Sequence, residues 1–122
     1  MLMPGLTLIV AGADPRRFHA ALSMAAASAA GDTATRVYLH GDAVLLLVPP
    51  LHSPDDDRHR MSGLPTLAQV LDESLELGVH VICCQSGLAM AGIAAENLDP
   101  RMEVGGLVGL LSALGNDRLV AV

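Results

Sequence analysis

Lysine and tryptophan are missing from this chain, and among its 122 residues it holds one tyrosine, one phenylalanine and two cysteines. The seven Lys+Arg positions are therefore all arginines, scattered along a chain of formal charge −6. Such a chain offers no basic stripe to follow a phosphate backbone, so nucleic acid is not an expected partner. With aromatics at 2% and hydrophobic residues at 52%, the core has to be assembled from aliphatic side chains. Cys83 and Cys84 are adjacent, which excludes a disulfide framework and falls short of a four-ligand zinc signature. Free thiols fit a reducing compartment, and a cytoplasmic location is expected. No apolar run approaches the roughly 18 residues that a membrane span needs. The apolar stretch from Met1 to Gly12 lacks a basic leading segment, so a first strand is expected there rather than a leader.

Other signatures are missing too. Gly12 stands alone after the first apolar run, without the glycine spacing of a dinucleotide fingerprint or a phosphate loop. Gln85-Ser86-Gly87 lacks the first glycine of a nucleophile elbow, which disfavours a serine hydrolase. No metal or cofactor is expected: His52 and His59 flank Asp55-Asp56-Asp57 in a polar segment of the kind that is ordinarily solvated.

What remains reads as alternating strands and helices in one domain spanning 1–122. Leu6-Thr7-Leu8-Ile9-Val10 is a β-branched apolar run suited to a buried strand. Asp14 and Pro15 then start an alanine-rich helix that ends at Gly31. Arg36 to Leu39 is a second strand, closed by His40-Gly41-Asp42, and Ala43 to Val48 is read as a short helix ended by Pro49-Pro50. Residues 51–63 are expected to be an exposed loop. Thr66 and Gln69 form a capping-box pair ahead of the stripe Leu67, Val70, Leu71, Leu75, and Gly78 closes that helix. Val79 to Cys84 is a strand, followed by a turn at Gln85-Ser86-Gly87 and a short helix from Leu88. Asp99-Pro100 repeats the cap-plus-proline start, Leu107 to Leu114 is helical, and Leu119 to Val122 is a last strand. Strands separated by helices imply parallel pairing through right-handed crossovers, with helices on both faces of the sheet.

In such a sheet, ligands gather outside the carboxyl ends of the strands. Those ends read Gly12-Ala13-Asp14, His40-Gly41-Asp42 and Cys84-Gln85-Ser86-Gly87, and of these residues Cys84 alone is a strong nucleophile without a dedicated base. Backbone N–H groups near Gly87 would stabilise its thiolate. His40 is a candidate for hydrogen bonding near the sulfur, and Gln85 and Ser86 belong to the same turn. Successive strand side chains point to opposite faces, so Cys83 is read as packing. The competing reading treats Cys84 as one more small buried hydrophobe.

Gly78 to Ile93 resembles the cysteine-bearing strand–helix unit of the DsrE/DsrF-like sulfur-relay family, with Cys84 at the family's distance from Gly92-Ile93. The opening strand with its alanine-rich helix, the His40-Gly41-Asp42-Ala43-Val44 turn and the closing 107–122 segment follow the family's order, and residues 49–63 are the least similar part. This resemblance implies a flavodoxin-like three-layer α/β fold with a central, mainly parallel sheet of four to five strands. It also implies assembly into homo-oligomers such as trimers or hexamers, and sulfur carried as a persulfide on Cys84 between donor and acceptor thiol proteins. A non-catalytic oligomeric module with buried cysteines is the alternative.

Overall fold

A computed structural model describes residues 4–122; Met1 to Met3, the first part of the apolar opening stretch, lie outside the described residues. The chain runs β1 (Leu6–Ala11), α1 (Pro15–Ala30), β2 (Thr35–His40), a 3₁₀ segment (Gly41–Leu47) and α2 (Asp56–Met61). It continues through α3 (Leu67–Glu76), β3 (His80–Cys84), α4 (Gln85–Ala91), a 3₁₀ turn (Ala95–Asn97), β4 (Glu103–Gly105), α5 (Leu107–Ser112) and β5 (Arg118–Ala121). The five strands form one sheet in the order β4-β3-β2-β1-β5, and every pairing is parallel. This is the three-layer, flavodoxin-like α/β architecture.

Register divides the strand residues between two faces. Val10, Leu39 and Cys83 lie side by side, as do Leu8, Val37 and Val81, and all six are fully buried. Their face packs against α1 and α3, which supply Phe18, Leu22, Leu67 and Val70 to the same core. Two helix starts are fixed by the predicted chemistry. The Asp14 carboxylate accepts from the Arg16 N–H at 2.9 Å with Pro15 behind it. Thr66 and Gln69 cap each other reciprocally, at 3.3 and 2.9 Å. Ser74 is buried in α3, but its hydroxyl donates to the carbonyls of Val70 and Leu22, so the two helices are joined by a satisfied polar contact rather than an orphan. On the other face lie Tyr38, His40, Ile82 and Cys84, which α5 covers through Leu107 and Leu110.

Several segments differ from the sequence reading, among them Gln85-Ser86-Gly87, which is the first turn of α4 rather than a turn before it. Residues 51–63 are not simply a loop, because α2 forms within them. Its acidic residues come first and its basic residues last, the order that favours a helix, and Asp57 pairs with Arg60 three positions on. Six residues with none buried carry no apolar periodicity to read. Similarly, Asp99-Pro100 does not start a helix. The Asp99 carboxylate accepts from the Arg101 N–H and guanidinium in a tight turn, and the chain enters β4 at Glu103. The segment read as a helix over Ala43–Val48 is a 3₁₀ helix beginning earlier, at Gly41. Among the described residues, no helix is long and apolar enough to cross a membrane.

Candidate functional site

The two neighbouring thiols end up in opposite surroundings. Cys83 is fully buried beside Leu39, and burial pushes its pKa up to about 11. Cys84 ends β3 and is itself the N-cap residue of α4: its Sγ accepts from the Gly87 N–H at 3.3 Å, where a serine or aspartate oxygen would normally sit. Burial also pushes the Cys84 thiol up. The Tyr38 hydroxyl and the N–H groups of Gly41, Gly87 and Ser86 outweigh that effect and hold it below the ordinary thiol value. Since α4 spans only seven residues, these individual donors, rather than a long-helix dipole, account for the shift.

Only 4% of Cys84 is exposed, but its sulfur does not face a closed core. It lines a cavity of about 320 Å³ together with Tyr38, His40, Ser86, Gly106, Leu107 and Val108. Val108 on the rim is 83% exposed, so the cavity opens to the surface beside α5. The described residues therefore bring together four of the five sequence-predicted positions. Cys84, His40 and Ser86 share the cavity, and Gly87 donates to the sulfur from beneath. Gln85 is exposed on the first turn of α4 and does not line the cavity.

Three contributions escape the sequence reading: Tyr38, the Gly41 N–H and the α5 wall. Tyr38 is fully buried, and its hydroxyl approaches Sγ without completing a hydrogen bond of good geometry. Strand alternation carries a signal for it, since Tyr38 precedes His40 by two residues and so shares its face. The two rings stack with centroids 6.2 Å apart. Two acidic residues outside the cavity are occupied structurally: Asp55 pairs with Arg16 and Arg58, and Asp56 accepts from the N–H groups of Ser53 and Leu67.

Gly87 is required by close approach. A Cβ there would meet the Gly41 carbonyl oxygen at 2.5 Å and its carbon at 3.1 Å, all backbone that cannot swing aside. Gly87→Ala is therefore expected to cost about 1–3 kcal/mol, as overpacked cores do. It should also raise the pH at which Cys84 becomes reactive, because two of its N–H donors are pushed apart. Urea unfolding and the pH profile of alkylation check the two effects separately.

The family model described as DsrE/DsrF-like family matches residues 6–121. No curated protein matches the chain. Among solved structures, the ychN protein from E. coli is similar over 98% of this chain and 100% of its own, with a TM-score of 0.73 and 19% identity. MTH1491 from Methanobacterium thermoautotrophicum, a protein of unknown function, is similar over 98% of this chain and 100% of its own, with a TM-score of 0.69 and 14% identity. BT1422 from Bacteroides thetaiotaomicron, a conserved protein of unknown function, covers 95% of this chain and 94% of its own at a TM-score of 0.63 and 17% identity. At these identities the likeness is one of fold.

Proposed function

Because this chain belongs to the DsrE/DsrF-like family, we propose that it serves in sulfur relay, carrying sulfane sulfur as a persulfide on Cys84 and passing it between the thiols of donor and acceptor proteins. One observation carries the reading: a thiol ringed by hydrogen-bond donors, with its pKa held down, sits at the wall of an open cavity. A cysteine kept only for packing would resemble Cys83, enclosed and resistant to ionisation.

The chemistry is exchange at sulfur. The Cys84 thiolate attacks the outer sulfur of a donor R–S–SH, the Sγ–S bond forms, and the donor's S–S bond breaks. The electron pair leaves on R–S⁻, which takes up the proton that the new persulfide releases. Sulfur moves as a neutral atom, so the step consumes neither oxidant nor reductant. In the return step an acceptor thiolate attacks the outer sulfur and Cys84 departs as thiolate. A depressed pKa thus serves twice, raising the thiolate fraction for attack and making Cys84 a better leaving group. His40 and Ser86 supply polar groups to the cavity wall, and exposed Gln85 is available to a docking partner. Exchange between thiols calls for no cofactor. A reducing, cytoplasmic setting keeps both cysteines free. Exposed Val104, Val108 and Leu111 around α5 support assembly with further copies of the chain, as a trimer or hexamer.

The test is intact mass after incubation with inorganic polysulfide. The expected result is the addition of one or more sulfur masses that dithiothreitol removes. An unchanged mass, with both thiols still titratable after denaturation, would overturn sulfur carriage and favour the non-catalytic oligomeric module.

A further inference from the structure

We propose that Tyr38 is a positioning residue that holds the terminal sulfur of the Cys84 persulfide through its phenolic O–H. The inference rests on the persulfide reading and adds to it a residue and a role. Tyr38 is fully buried, yet its oxygen has no hydrogen-bond partner of good geometry among the described residues. Buried hydroxyls are nearly always paired, and one left open in a cavity wall points to an acceptor that arrives later. That cavity is the one Cys84 lines, and the two side chains project from neighbouring strands on the same face of the sheet.

Charge migration supplies the acceptor. In the thiolate the negative charge is on Sγ, where the fixed Gly87 N–H already donates. Once the persulfide forms, the charge moves to the outer sulfur, about 2 Å farther along the new S–S bond. Backbone donors anchored around Sγ cannot follow it. The other polar side chains of the cavity, His40 and Ser86, lie exposed at the surface. Tyr38 is fully buried, and its side-chain hydroxyl, close to Sγ but without a hydrogen bond of good geometry, can turn to meet the displaced charge. Burial and the neighbouring Cys84 keep the phenol pKa above its usual value, so the proton stays on oxygen while the sulfur ionises.

Tyr38→Phe deletes that one oxygen. The native chain and the variant are equilibrated with glutathione persulfide and glutathione at a fixed ratio, and the loaded fraction is read by intact mass. The loaded-to-empty ratio of the variant is expected to be at least about tenfold lower, as suits a lost hydrogen bond to a charged acceptor. The pH at which the bound persulfide ionises, followed by its near-ultraviolet absorbance, should also move upward. Because the chain has a single tyrosine, biosynthetic 3-fluorotyrosine alters only this phenol while keeping its hydroxyl. The stronger donor should lower the persulfide ionisation pH, a readout that survives even if Tyr38→Phe does not fold. Equal loading ratios with unchanged ionisation in both altered proteins would overturn the role of Tyr38 while leaving persulfide carriage intact. Failure of the native chain itself to load would overturn both.

Discussion

Cys84→Ala is expected to abolish sulfur uptake from polysulfide, while Cys83→Ala leaves uptake intact. The two residues are adjacent, so a difference of this size cannot come from general damage to β3. It comes from alternation: Cys83 points into the α1/α3 side with Leu39 and Val10, and Cys84 points to the cavity side. Cys83→Ala should lower stability by about 1–2 kcal/mol, since a small buried hydrophobe is shortened inside a packed layer. Cys84→Ala removes the α4 cap, at a cost of about 1 kcal/mol. Both variants should therefore remain folded, and urea unfolding followed with the mass measurement separates loss of chemistry from loss of structure. Sulfur retained by Cys84→Ala and lost by Cys83→Ala would reverse the assignment.

Alkylation of the native chain by iodoacetamide is expected to favour Cys84 over Cys83 by at least about a hundredfold at pH 8, because only the thiolate reacts. At that pH a thiol with its pKa pushed to about 11 is ionised in roughly one molecule per thousand. An ordinary thiol of pKa about 8.5 would be ionised in roughly one molecule in four at that pH, and Cys84 is held below the ordinary value. The sign of the pH dependence follows. Labelling of Cys84 rises with pH and levels off before an unperturbed thiol would, whereas labelling of Cys83 goes on rising toward pH 11. Peptide mapping after timed quenching measures both rates in one sample. Equal and slow labelling would mean that the cavity does not admit even a small electrophile to the sulfur.

Much of this site could be read from residue order alone. The two strands that carry it, β2 and β3, are apolar runs closed by glycine or polar turns, and the long helices announce themselves through Asp14-Pro15 and the Thr66/Gln69 box. The opposite fates of Cys83 and Cys84 need only strand periodicity. Less legible were elements too short to show any period. α2 depends on charge order over six residues, and β4 is three residues defined by pairing to β3 rather than by composition. Tyr38 was hidden for another reason. Alternation places it on the face of His40, but its importance arises from a backbone register that brings it near a sulfur 46 positions later. The α5 wall is a similar case, since Leu107 and Val108 reach the cavity only because the chain returns across the sheet between β4 and β5.

Cys84 as the cap of α4 ties the chemistry of one sulfur to the start of a helix. An oxygen cap is chemically inert, but a sulfur cap changes size, charge and acceptor strength each time an atom is added to it or taken away. The first turn of α4 depends on that contact. From that turn the helix runs out to Met90, which stands 89% clear of the protein. A persulfide on Cys84 would therefore alter the very contact on which the start of that helix rests.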